Sequence, residues 1–354
     1  MDGDLLLYGA YGYTGSLVAE AAADRGLDVT LAGRRRAKLR PLADDLGYEA
    51  VVFHLEDRAP ITAALDNHEA VLNCAGPFVE TAEPLVEAAL ATGTDYLDIT
   101  GEIEVFEAIQ DRDDWAREAR VTLLPGVGFD VVPTDCLAAH LAERLPEADS
   151  LELAFESEGP PSDGTTRTSL RHLHEGGRVR RDGEIEAVPL AWEDRQIDFG
   201  EGPRTVVTIP WGDVATAYHS TGIPDVTVYM SMSPGSVTWL RRARYASPLL
   251  RLGVVRWLLA KLLARGGSGP DEETRAETGA SVWGRAMADD GAEAVARLRT
   301  PNTYDLTVET ALNAVEGVLA GDVDPGFQTP STAFDPDFVL EVPGVERTDG
   351  PLES

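Results

Sequence analysis

Lysine is almost missing from this chain. Lys38 and Lys261 are the only two, and every other basic side chain is arginine. Bases of both kinds are outnumbered about two to one, 30 against 61 carboxylates, which leaves a formal net charge of −31 and a pI near 4.4. Such a polyanion repels phosphate backbones, so nucleic acid is excluded as a partner, and most of the surface is repelled by anionic lipid. Acidity with so little lysine reads as adaptation to high salt, where the screening length falls to about 3 Å. It says nothing about catalysis. Cysteine is equally scarce: Cys74 and Cys136 supply no disulfide framework and no zinc spacing, and they fit a reducing, cytoplasmic compartment. No uncharged apolar run is long enough to cross a bilayer. The acidic Met1-Asp2-Gly3-Asp4 start lacks the pattern of a signal peptide. What the chain does have is 354 residues at 43% hydrophobic, enough to bury cores for two domains.

The apolar run Leu5-Leu6-Leu7-Tyr8 leads directly into Gly9-Ala10-Tyr11-Gly12-Tyr13-Thr14-Gly15. A short buried strand followed by regularly spaced glycines predicts a sharp turn into a helix, here Ser16 to Arg25, closed by Gly26. Such a turn aims backbone N–H groups and the positive end of a helix dipole at one point, which suits a pyrophosphate. The pattern is G-x-x-G-x-x-G rather than G-x-G-x-x-G, and a glycine-rich turn without a ligand is the plainer alternative. The strand before it and the helix after it favour dinucleotide binding, with Gly9, Ala10, Gly12, Tyr13, Thr14 and Gly15 around the cofactor.

The second strand separates the two nicotinamide cofactors. A carboxylate at its end would hold a ribose 2′-hydroxyl, whereas arginine accommodates a 2′-phosphate. Asp28 to Ala32 delivers Gly33-Arg34-Arg35-Arg36, and Asp28 stands at the wrong end. A guanidinium grips phosphate bidentately and stacks on adenine, so Arg34 and Arg35 point to NADP. The alternative is a solvated basic start to the following helix, Ala37 to Leu46.

Strands and helices go on alternating. Ala50–His54, Ala70–Cys74, Tyr96–Ile99 and Val121–Leu124 read as strands three to six; Ile61–Asn67, Thr81–Thr92 and Glu104–Arg120 read as helices between them. This period predicts right-handed βαβ units and a Rossmann-type, doubly wound parallel sheet over residues 1–130. Ligands on such a sheet sit beyond the carboxyl ends of its strands. Those ends carry Asn73-Cys74-Ala75-Gly76-Pro77-Phe78, Asp98-Ile99-Thr100-Gly101-Glu102, and Pro125-Gly126-Val127-Gly128-Phe129-Asp130 running on to Pro133-Thr134-Asp135. Ala75, Gly76 and Pro77 can bring backbone close to a cofactor. Asn73 can bond ribose or nicotinamide, or its own turn backbone.

For proton delivery beside a hydride acceptor the candidates are Asp98, Glu102 and Asp130, since a carboxyl with a raised pKa can act as an acid. Asp135 is better read as a helix N-terminal charge before Cys136–Leu145. Tyr13 and Tyr96 are further conceivable acids. Cys136 has no paired histidine, and His172 with His174 lack companion ligands, so no metal is expected.

The second half reads differently. Strand-like runs at Leu151–Phe155, Thr205–Ile209, Asp225–Met232 and Val295–Arg299, with a helical Thr165–His174, predict an α+β substrate or dimerisation domain over 131–303 with a mostly antiparallel sheet. Gly159–Gly164 and Arg265–Pro270 read as loops. A helix from Tyr304 to Ala320 opens a C-terminal segment, 304–354, that returns toward the first domain and frays from Asp349. Residues 241–265 hold seven basic and no acidic side chains among many Leu and Val. Apolar residues fall all round that helix, so an interface or pocket wall suits it better than a peripheral membrane contact.

The Gly9–Gly15 loop and the three strand-end segments, with Thr303-Tyr304-Asp305-Leu306-Thr307 and Gly326-Phe327-Gln328-Thr329-Pro330, resemble the saccharopine dehydrogenase-like oxidoreductases, nearest their trans-acting enoyl reductase branch. The likeness is strongest over Leu5 to Asp135 and thin between Ser150 and Arg299. The Phe-Ser-Trp segment of true saccharopine-forming enzymes is absent. The resemblance implies NADP-dependent hydride transfer to an enoyl-type double bond of an apolar acyl or isoprenoid-like substrate; a homodimer is expected from the dimerisation reading of the second domain. An imine or amino-acid dehydrogenase, and a catalytically silent NADP sensor or scaffold, are the alternatives.

Overall fold

The computed structural model describes residues 4–158, 176–243 and 269–350. In chain order the elements are β1 (Leu5–Tyr8), α1 (Tyr13–Arg25), β2 (Val29–Gly33), α2 (Arg36–Leu46), β3 (Glu49–Val52), α3 (Arg58–Leu65), β4 (Ala70–Asn73), α4 (Phe78–Thr92), β5 (Asp95–Asp98), α5 (Ile103–Gln110), α6 (Asp113–Ala119) and β6 (Thr122–Leu124). There follow α7 (Val132–Arg144), β7 (Ser150–Ser157), β8 (Gly177–Arg181), β9 (Glu184–Val188), β10 (Asp194–Asp198), β11 (Pro203–Thr208), α8 (Asp213–Thr221), β12 (Asp225–Ser231), α9 (Pro234–Ala243) and α10 (Glu272–Glu277). The last are β13 (Gly279–Met287), β14 (Glu293–Pro301), α11 (Thr303–Ala320), β15 (Gly326–Phe327), α12 (Pro330–Ala333) and β16 (Glu346–Asp349).

Two compact units form: Met1–Val132 with Tyr304–Asp335, and Pro133–Thr303 with Pro336–Ser354. The first is an α/β unit around a seven-stranded sheet in the order β15-β6-β5-β4-β1-β2-β3. Every pairing in it is parallel. Its central strands are buried along their whole length, as a sheet covered on both faces requires; Leu5 to Tyr8 are all 4% exposed or less. Each such Leu contributes about 1.5–3 kcal/mol by leaving water. Arg25, in the last turn of α1, ties that helix to α11 through Glu309 and Glu316, both at 2.6 Å, and Asn313 at 2.9 Å.

The expected single helix Glu104–Arg120 is two helices. α5 ends at Gln110, and α6 restarts with Asp113 and Asp114 in its first turn, where acidic charge suits the helix dipole. Asp113 Oδ1 also accepts the Phe327 N–H at 2.8 Å, which fixes β15 onto the edge of the sheet.

The second unit holds a nine-stranded sheet, with β10-β11-β12-β7-β13-β14-β16 as its main path. β8 pairs with both β12 and β9, off that path. Its pairings are antiparallel except β7 with β12, which is parallel. Strands β8, β9, β10 and β13 were not legible as such. The β8–β9 hairpin carried a usable signal, Asp182-Gly183, whose φ angles of 48° and 81° are those of a two-residue hairpin turn.

The fraying expected from Asp349 is not seen at Asp349 itself, which is paired in β16, while 351–354 lie outside the described residues. Asp349 pairs with Ala296 in β14, and its carboxylate accepts from His140 at 2.8 Å and Arg144 at 3.2 Å. Burial opposes ionisation of Asp349, but the His140 and Arg144 contacts prevail and hold its pKa below the usual carboxylate value. The helical Thr165–His174, the loop Gly159–Gly164 and the histidines within that helix lie outside the described residues. So does most of 241–265, of which Arg241 is seen to pair with Asp194. Among the described residues no helix is long and apolar enough to cross a membrane.

Candidate functional site

The glycine turn in the first unit is built by close approach. Gly9 has φ +85°, and a Cβ there would lie 2.9 Å from both the Cβ and the N of Ala75, at the end of β4. Gly15 presses against the same turn, where a Cβ would stand 2.4 Å from the Gly9 carbonyl. Gly12 is the N-cap of α1; it offers no side-chain cap, and the first turn holds no acidic residue. The loop therefore presents backbone N–H groups and a helix dipole with no carboxylate competing for them, which fits a dinucleotide pyrophosphate. Tyr13 opens α1, and its ring meets Tyr304 edge-on at 4.9 Å.

At the end of β2, Arg34 and Arg35 are exposed and make no ion pair with any described residue. Arg35 is the N-cap of α2, and Asp28 lies just before the start of the strand. The arrangement leaves both guanidinium groups open to an anion beyond the sheet.

Asn73 does not reach outward. Its Oδ1 accepts the Ala75 N–H at 3.0 Å, and its Nδ2 donates to Thr81 Oγ1 at 3.1 Å and the Tyr96 hydroxyl at 3.3 Å. Buried and fully engaged, it braces the turn into Ala75-Gly76-Pro77, and Gly76–Pro77 is a cis peptide. Of the two roles open from sequence, the bond to its own turn backbone is present.

The three carboxylates meet very different surroundings. Asp98 is wholly buried at the end of β5. Its Oδ2 accepts from the Tyr96 hydroxyl at 2.7 Å, and its Oδ1 from the N–H groups of Thr100 at 2.9 Å and Gly126 at 3.0 Å. It thereby ties the β5 and β6 ends together, and burial pushes its pKa to about 6 against the lowering effect of those donors. Tyr96 is buried too; burial and the Asp98 charge hold its hydroxyl far above neutrality. Cys74, half-buried alongside, is raised by burial and by Asp98.

Glu102 is 5% exposed, and both its oxygens are occupied at the start of α4. Oε1 accepts Phe78 N–H and Oε2 accepts Val79 N–H, each at 2.9 Å. It caps that helix from outside, where a negative charge suits the dipole.

Asp130 differs from both. It is half-buried, lies over Gly101, where a Cβ would come 2.9 Å from its Oδ2, and makes no hydrogen bond or ion pair with any described residue. Burial, then the charge of Glu102, raises its pKa to about 7. Its neighbour Phe129 donates its N–H to Thr307 Oγ1 at 3.0 Å, and Thr310 Oγ1 donates to the Val127 carbonyl at 2.8 Å. The loop carrying Asp130 is thus held by α11, a support the sequence reading did not find. Asp135 lies buried in the first turn of α7, and Cys136 is buried beside it. Among the described residues no cluster of His, Cys, Asp or Glu could hold a metal ion.

Residues 5–124 match the family model of the saccharopine dehydrogenase NADP binding domain. Trans-acting enoyl reductase of Mycobacterium ulcerans is 31% identical over 159 residues, 43% of this chain and 38% of that one. The protein of the same name from Mycobacterium leprae is 34% identical over 160 residues, 42% of this chain and 38% of that one. The matched stretch thus spans well under half the length of these relatives. Among solved structures, saccharopine dehydrogenase (L-Glu forming) from Saccharomyces cerevisiae superposes with TM-score 0.66 at 14% identity, covering 99% of this chain and 100% of that one. Homospermidine synthase from Legionella pneumophila, solved in complex with NAD, gives 0.65 at 10% identity, covering 99% and 92%. At such identities these two show the fold alone. Residues 5–124 thus carry a saccharopine dehydrogenase-type nicotinamide dinucleotide-binding domain, and the sequence relatives of that stretch include trans-acting enoyl reductases.

Proposed function

We propose that the protein is an NADP-dependent oxidoreductase that reduces the polarised, enoyl-type double bond of an apolar acyl or isoprenoid-like substrate. When bound, NADPH supplies the hydride. The chain's own work is to seat the cofactor on the Gly9–Gly15 turn, to select it through Arg34 and Arg35, and to deliver a proton to the second carbon of the double bond. The supporting observation is Asp130, a half-buried carboxyl with a pKa of about 7 and no partner among the described residues. Near neutrality it holds a proton and has no described residue to give it to. That is the condition of a general acid. Asp98 and Glu102 have their oxygens filled by N–H and O–H donors, so they act as positioning residues, one for the strand ends and one for α4.

The enoyl reading is supported by the sequence relatives, and on that reading the substrate would be a lipid or its acyl precursor. The high charge and two free thiols suit a cytoplasm of high salt. The test is NADPH oxidation with a panel of α,β-unsaturated acyl thioesters and cyclic imines. Turnover is expected with the thioesters, and Asp130→Asn should lower it about 10²- to 10⁴-fold without weakening NADPH binding. Turnover with imines alone would move the protein to amino-acid dehydrogenase chemistry. NADPH binding without turnover of either class would make it a silent binder.

A further inference from the structure

Five cations fall within seven residues: Arg34, Arg35, Arg36, Lys38 and Arg40, with no carboxylate anywhere from Val29 to Ala43. All five are exposed, and none pairs with a described carboxylate. Acids outnumber bases two to one in this chain, and arginines elsewhere find them readily, as Arg25, Arg144 and Arg285 do. The cluster also opposes its own helix. Arg35 is the N-cap of α2, Arg36 its first residue, and Lys38 lies in the first turn, where the dipole disfavours positive charge and no acidic residue offsets it. A local rule broken without internal compensation marks a place where the compensation comes from a ligand.

Lys38 has a defined place in this cluster. Its Nζ stands over the Tyr11 ring, 6.0 Å from the centroid. Tyr11 belongs to the Gly9–Gly15 turn, yet its ring lies against the end of β2. A Cβ at Gly33 would come 2.6 Å from Tyr11 Cε1, so only glycine lets the ring lie there. The tyrosine thus bridges the phosphate turn after β1 to the basic end of β2, and the ammonium is held beside that bridge. Lys38 is also one of only two lysines kept among so many arginines. A compact ammonium on a flexible stem works as a point charge beside forked guanidinium groups, and the two kinds of donor complement each other on one phosphate.

We infer that Lys38, placed over Tyr11, is a specificity-determining residue that binds the 2′-phosphate of the dinucleotide together with Arg34 and Arg35. The inference rests on the NADP reading above, and two probes keep them apart: adenosine 2′,5′-bisphosphate and adenosine 5′-monophosphate, which differ only in the 2′-phosphate. Both would be titrated calorimetrically into the full chain and into K38M and K38R, with circular dichroism melts as the folding control. The unmodified protein should bind the bisphosphate at least tenfold more tightly than the monophosphate. K38M should weaken bisphosphate binding about tenfold and change monophosphate binding less than twofold, and K38R should recover most of the loss. Equal affinity of the unmodified protein for both probes would overturn the NADP reading itself. A clear preference that K38M leaves intact would overturn the role of Lys38 alone. So would an equal loss of both probes in folded K38M, because the lysine would then shape the site without reading the phosphate.

Discussion

Replacing Asp130 with asparagine should make the protein more stable while removing its chemistry. The carboxyl rises from an ordinary 3.8 to about 7 because the folded state buries it near Glu102. A raised carboxyl pKa means the folded state binds the proton more tightly than the unfolded chain. Its stabilising effect is complete below the unfolded value and is lost as pH climbs through the folded value. At about 1.36 kcal/mol per pKa unit, the full loss by pH 8.5 is about 4 kcal/mol, which partial exposure reduces to about 2 kcal/mol. Asparagine keeps the shape and cannot ionise. The stability difference, Asp130→Asn minus unmodified, should therefore be near zero at pH 4 and grow to about 2 kcal/mol by pH 8.5. Asp98, raised in the same direction to about 6, is present in both proteins and cancels in the difference. Urea unfolding of both proteins at several pH values and constant salt supplies the numbers. A pH-independent difference would mean that Asp130 titrates normally, and the proton-donor assignment would lose its physical basis. The same carboxyl predicts that kcat/KM falls as pH rises through about 7.

Three further outcomes are expected. Changing Arg34 and Arg35 together to alanine should cost NADPH binding about 2–4 kcal/mol and leave NADH binding nearly unchanged; fluorescence titration of both cofactors measures it. Removing the Glu102 carboxylate as Glu102→Ala strips the Phe78 and Val79 N–H groups of their acceptor, at a cost of about 1–2 kcal/mol in chemical unfolding. A smaller loss is expected for Glu102→Gln, which keeps one acceptor, and equal losses would show that the cap is not what Glu102 supplies. Melting temperature should climb from low salt to molar potassium chloride, as screening relieves repulsion among 61 carboxylates. A flat curve would leave the acidity without a role in stability.

The parallel sheet was legible because its strands are short and built on apolar runs such as Leu5–Leu7 and Val71–Leu72, set at a regular period by helices of which α1, α2 and α4 end in glycine. The second sheet was less so. β8 to β10 carry charged residues at many positions, as in Gly177–Arg181 and Asp194–Asp198, so neither the largely buried β8 nor the more exposed β9 and β10 leave an apolar signature. The site followed the same division. The glycine loop and the arginines announce themselves by residue type, whereas Asp98, Glu102 and Asp130 look alike in sequence. Their roles diverge through backbone N–H groups contributed from Gly126 and Phe78, some two dozen or more positions away. Spacing carries no record of such partners. Asn73, whose acceptor turned to its own chain at Ala75, is the same lesson at shorter range.

The interleaving of the two units bears on how the protein is made. β6 acquires its outer neighbour, β15, only after the chain has run through the whole of Pro133–Thr303. During synthesis the nascent dinucleotide unit therefore waits with one sheet edge open and with the Phe129 N–H lacking Thr307. Open edges invite pairing with other chains. The stretch matching the family model, residues 5–124, is only part of the compact unit, which is completed by Tyr304–Asp335. Excised by itself it would lose α11 and β15 and should aggregate, and a fragment that keeps Tyr304–Asp335 fused behind Val132 is the shortest form expected to stay monomeric.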